Sequence, residues 1–114
     1  MYIRGSKKEL MRSDKSYRIW NRAVGWSVFS IALFTFGSTV EPTASFWDAG
    51  EYISTSAKLQ IGHPPGAPLF QMIGAFFALF ATSAQKVALM VNFMSVLSSA
   101  FTVLFLFWTL TLLL

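Results

Sequence analysis

Residues 45–70 read SFWDAGEYISTSAKLQIGHPPGAPLF. This stretch holds the chain's only histidine, His63, three of its four prolines, and two carboxylates three residues apart, Asp48 and Glu51. Long apolar runs flank it on both sides. Polar, proline-punctuated backbone between two such runs reads as a loop joining membrane-embedded helices, because lipid cannot satisfy irregular backbone.

Working outward, the run 23–40 carries no charge, and a stretch of about 18 apolar residues suffices for a transmembrane helix. Trp20 and Trp26 lie near its start, where indole rings favour the membrane–water interface. The run exceeds a signal-peptide core of about 7–15 residues and no small-residue cleavage site follows, so it reads as an uncleaved anchor. A second uncharged run covers 67–84, with Pro68 in its first turn, where proline is tolerated. A third covers 87–114. The expected fold is all-α: a polytopic membrane protein with three spans and a short extracytoplasmic helix between the first two. The apolar end at Leu114 suggests a chain that continues.

Charge sets the expected direction. Seven of the nine Lys/Arg lie in residues 1–22: Arg4, Lys7, Lys8, Arg12, Lys15, Arg18 and Arg22. The positive-inside rule keeps this tail cytoplasmic. Residues 41–66 are then outside, the turn bearing Lys86 returns inside, and the third helix runs outward again, as in a bacterial inner-membrane protein. Only 12% of the chain is charged against 54% hydrophobic, where soluble domains carry roughly 25% charge. Beyond the tail no basic stripe with interleaved aromatics occurs, which excludes a nucleic-acid partner. The absence of cysteine excludes disulfides and thiolate chemistry. One histidine and no cysteine make a zinc site a poor reading.

The loop supports two readings. In the first, Asp48 is an N-cap, Glu51 completes a capping box, a short helix runs from 48 to 59, Gly62 ends it, and His63-Pro64-Pro65-Gly66 makes a stiff turn. In the second, Asp48 and Glu51 share one helix face at the membrane surface, where low dielectric raises a carboxylate pKa toward a value useful in catalysis. Lys58 and His63 would bind an anionic headgroup there. Phe46, Trp47 and Tyr52 would supply flat surface for a sugar or lipid. Asn92, Ser95, Ser98, Ser99 and Thr102 read as helix-packing residues of the third run.

The residues Trp47, Asp48, Gly50 and Glu51, followed by His63, Pro64, Pro65, Gly66, Pro68, Leu69 and Phe70, resemble the hallmark of a membrane-protein family catalogued as domain of unknown function 2723. The match covers about a quarter of the chain. That family looks related to the C-type glycosyltransferase fold, and its animal member resembles a protein O-mannosyltransferase. The resemblance implies a sugar donor on a polyprenyl-phosphate carrier, an exported acceptor protein, and an active-site carboxylate in the first extracytoplasmic loop. By position that residue is Asp48, with Glu51 second; Trp47, Tyr52, Lys58 and His63 remain the substrate-binding candidates from the loop's own chemistry. No cofactor is expected, with a divalent metal through Asp48 and Glu51 left open. The alternative is a non-catalytic multi-pass subunit, or a partial chain held as a client of the membrane-insertion machinery.

Overall fold

The structure, a computed structural model, describes residues 3–45 and 47–114, with side chains from residue 14 onward. Four α-helices follow one another: α1 (Ile3–Ser38), α2 (Ala49–Lys58), α3 (Pro68–Ala78) and α4 (Val87–Leu113), with a 3-10 turn at Ala84–Lys86 leading into α4. The all-α expectation holds among the described residues.

The basic tail and the first apolar run form one helix of 36 residues, about 54 Å long at 1.5 Å per residue. Nothing in the sequence interrupts it: no proline occurs before Pro42. The hydroxyls of Ser27, Ser30 and Thr35 each donate to the carbonyl four residues back, which pairs these three donors within the apolar part of the helix.

Helix α4 packs antiparallel along α1. Phe29 meets Phe101 at 4.7 Å between ring centroids and Trp26 meets Trp108 edge-on at 6.1 Å. Tyr17 Oη donates to the Thr111 carbonyl at 3.3 Å. At the other end Asn92 Nδ2 donates to the carbonyls of Glu41 and Thr43 at 2.8 and 3.0 Å. Asn92 is therefore a loop anchor, while Ser98 and Thr102 bond within their own helix.

The second run departs from expectation. Helix α3 has 11 residues, not 18, or about 16 Å of rise, roughly half a hydrocarbon core of about 30 Å. After Ala78 the chain turns through Leu79–Ser83 and starts α4. Helix α3 instead lies against the first turns of α4 and against α2. Gly74 makes this possible: a Cβ there would sit 2.7 Å from Ser56 Oγ and 2.9 Å from Ser56 Cβ. Small residues at such a crossing let two backbones approach closely.

Two corrections follow. Among the described residues only Ala84–Leu113 is both long and apolar enough to cross a membrane; α1, though 36 residues long, is not such a helix. The Lys86 turn also lies at the same end of the α1–α4 pair as loop 41–45, since Asn92 near the start of α4 holds that loop. A hairpin that returned Lys86 to the tail side, with α4 running outward, is not what the chain forms. The buried apolar side chains among the described residues are Val91, Met94, Val96, Ala100 and Leu104, all on α4. The outer faces of α1, α3 and α4 stay apolar and open, with Phe34, Leu69, Phe76, Leu79, Phe105 and Leu106 all more than half exposed.

Candidate functional site

The loop quoted at the outset folds over the end of the helix pair that α3 and the Lys86 turn share. Helix α2 starts and ends almost as its sequence suggests, by different means. Asp48 precedes the first residue of the helix, but in a right-handed helical conformation and without a side-chain cap. Its carbonyl accepts the first helical bond from Tyr52 at 3.0 Å. The capping box does not form, and the Asp48 carboxylate is left exposed.

At the other end Leu59, not Gly62, takes the left-handed conformation, with φ 49°. The amides of Leu59 and Gln60 donate to the carbonyls of Ser56 and Thr55, the paired bonds of a Schellman closure. Gly62 is wanted for another reason. A Cβ there would lie 2.9 Å from Glu51 Oε1 and 3.1 Å from Gln71 Nε2.

Glu51 does not reach back toward its own helix start. Its Oε1 accepts the backbone N–H of His63 at 2.7 Å, and its Oε2 lies 2.7 Å from His63 Nδ1. One carboxylate thus ties α2 to the His63-Pro64-Pro65-Gly66 turn, which closes on itself through Gly66 N–H to the His63 carbonyl at 2.9 Å. The Pro64–Pro65 bond is cis. Below the staple, Gln71 of α3 is buried and donates to Thr55 Oγ1 at 3.2 Å. Ser56 Oγ, fully buried, has no partner.

The electrostatics follow from the staple. The His63 backbone N–H, then its side chain, hold Glu51 below its ordinary value of 4.5, against partial desolvation. Glu51 in turn raises His63 above 6.5, chiefly through the hydrogen bond and then through charge, with Asp48 adding a smaller attraction. A hydrogen bond to the charged form favours that form. This runs opposite to the expectation of a raised carboxylate at Glu51: its pKa goes down.

The structure therefore brings Glu51 and His63 together, with Asp48 one helical turn before Glu51. His63 Nδ1 is committed to Glu51, and Nε2 has no protein partner among the described residues. Lys58 sits at the far end of the ten-residue α2, about 15 Å of helix rise from Asp48, and does not join them. Tyr52 packs edge-on against Phe70, centroids 5.3 Å apart, so it supports the turn more than it offers a free platform. Trp47 is 96% exposed with φ 44°. Phe46 lies outside the described residues. No group of three metal-ligating side chains occurs among the described residues; Glu51 spends both oxygens on His63, which disfavours a metal shared with Asp48. Gln71, Thr55 and Gly62 were not legible as site residues. The one signal was a glutamine inside an otherwise apolar run.

A family model described as the protein O-mannosyl-transferase TMEM260 N-terminal domain matches residues 48–114. The protein O-mannosyl-transferase tmem260 of Dictyostelium discoideum is 30% identical over 83 residues, which cover 72% of this chain and 10% of that relative. The chain thus spans about a tenth of the length of the curated relative it matches. No solved structure matches it. The match bears out an O-mannosyltransferase-like family and does not carry the label domain of unknown function 2723.

Proposed function

The chain belongs to the protein O-mannosyl-transferase TMEM260 N-terminal domain family, and from that premise we propose that it is the front part of a membrane glycosyltransferase. It moves a sugar from a polyprenyl-phosphate carrier to Ser/Thr hydroxyls of exported proteins. Helix α4 crosses the bilayer on its own apolar length, and α1, which does not qualify alone, crosses paired antiparallel with it; the basic tail and the end of α4 stay cytoplasmic, and the loop with α2 and α3 lies outside. The open apolar faces of α1 and α4 support this placement, because water penalises apolar patches of that extent and lipid does not.

The observation that carries the chemical reading is the exposed, uncapped Asp48 carboxylate at the start of α2, one turn before the Glu51 that holds His63. Asp48 takes the proton of the acceptor hydroxyl as its oxygen attacks the anomeric carbon. The bond from that carbon to the carrier phosphate breaks with inversion, and the electron pair leaves on the phosphate. No general acid is needed, since a phosphate leaves unprotonated. It does need a cation, and His63, cationic up to a raised pKa, presents Nε2 for it. Glu51 sets the ring's orientation and charge. Trp47 offers the sugar or carrier an open indole face.

The test uses the purified full-length protein in lipid, with polyprenyl-phosphate mannose and a Ser/Thr peptide. Transfer is expected, and Asp48→Asn lowers it by about 10² or more, the usual range for a positioned base being 10²–10⁴. The variant keeps its fold, because the Asp48 side chain makes no cap bond to lose. Wild-type rates from Asp48→Asn would remove Asp48 from the chemistry. No transfer by the wild-type protein would favour the non-catalytic subunit.

A further inference from the structure

The opposite end of the helix pair has a feature that sugar transfer does not use. Lys15, Arg18 and Arg22 are spaced three and four residues apart on α1, so they share one face. All three are exposed. They line a hollow of about 210 Å³ with Ile19. Arg22 also lines the adjoining groove of about 540 Å³ between α1 and α4, whose other walls are Asn21, Trp26, Trp108 and Leu112. Among the described residues none of the three cations forms an ion pair; the one ion pair is Glu51–His63, at the far end.

This is cationic surface that runs directly into an aromatic and apolar groove. Free phosphate or an acidic peptide would use the first part alone, and a nucleotide base, though it stacks on an indole, would leave the aliphatic Leu112 against water. A molecule with an anionic head and an acyl tail uses both. The tryptophans sit where indoles favour the headgroup level, and anionic lipids attract basic residues next to a membrane span.

We propose that this end of the α1–α4 pair binds the headgroup of an anionic phospholipid, with Lys15, Arg18 and Arg22 on its phosphate and Trp26, Trp108 and Leu112 along the upper acyl chain. The proposal rests on α1 and α4 lying in the bilayer and not on the chemistry at Asp48. The experiment uses the full-length protein in phosphatidylcholine nanodiscs containing a minor fraction of phosphatidylglycerol with a photoreactive headgroup. After irradiation the adduct is mapped by mass spectrometry. It is expected on residues 15–26 or 108–112, to weaken with salt, and to survive excess inorganic phosphate. The triple variant Lys15→Gln, Arg18→Gln, Arg22→Gln should lose it on the order of 100-fold, each surface charge contributing roughly five-fold, while Lys86→Gln leaves it unchanged. Mapping on wild-type protein keeps the test valid if the triple variant fails to insert. Equal labelling by a phosphatidylcholine probe, displacement by inorganic phosphate, or adducts elsewhere only would overturn the proposal. Wild-type sugar transfer in a variant that has lost the adduct would separate this site from the catalytic one.

Discussion

At the scale of single residues, the Glu51–His63 pair decides how the loop is held, and its ionic form has a defined pH window. Glu51 is lowered on folding, so its contribution is complete above about 4.5 and is lost as pH falls through the lowered value. His63 is raised, so its contribution is complete below about 6.5 and is lost as pH rises through the raised value. Between those limits the staple is fully charged, and the charge fades only on either side. Glu51→Gln removes the anion while leaving an oxygen for the His63 amide. We expect the titration of His63, followed by its pH-dependent modification with diethyl pyrocarbonate, to move back toward 6.5 in that variant. An unchanged midpoint would mean that Glu51 does not hold His63 as the geometry describes. The residue scale also shows why spacing misled: Asp48 and Glu51 were read as one facing pair, yet Glu51 is consumed by His63, twelve residues on.

At the scale of elements, the crossing of α2 with α3 depends on one missing side chain. Gly74→Ala would push a Cβ to 2.7 Å from Ser56 Oγ and 2.9 Å from Ser56 Cβ, and Ser56 is fully buried with nowhere to rotate. Overpacking of that kind costs about 1–3 kcal/mol. The thermal midpoint of Gly74→Ala should fall, and Ser56→Gly added to it should recover part of the loss by making room. A Gly74→Ala protein as stable as wild type would mean that the two helices are not in this contact. The short α3 has the same origin. A run of 18 apolar residues is consistent with a span, but Gly74 and Gln71 give α3 a protein partner in α2, and the helix ends at Ala78.

At the scale of the whole molecule, antiparallel packing of α1 and α4 puts the start of one helix beside the end of the other, and the proposed two-crossing topology follows from it. With Asn92 holding Glu41 and Thr43, both ends of the segment between α1 and α4 lie on one side. Single cysteines at Thr43 and Lys86 should react with an impermeant thiol reagent from the same face of the membrane. Cysteines at Lys15 and Leu112 should react from the other. Labelling of Lys86 together with Lys15 would restore the three-span arrangement and overturn the one described here.

Much of this was written along the chain. Apolar run length, the charge asymmetry of the tail and the density of the Trp47–Phe70 motif give an all-helical chain with its candidate site in one loop, because these signals are local or compositional. The start of α2 at Ala49 is equally local. Three things depended on contacts between segments distant in sequence. Glu51 found His63 instead of Asp48, because the proline turn returns across α2 and supplies two donors where a cap supplies one. The run 67–84 became a short packed helix, because α2 offered a surface that apolar composition cannot announce. The direction of α4 was set by its contacts with α1, since a helix long enough to cross a bilayer is equally suited to cross it either way.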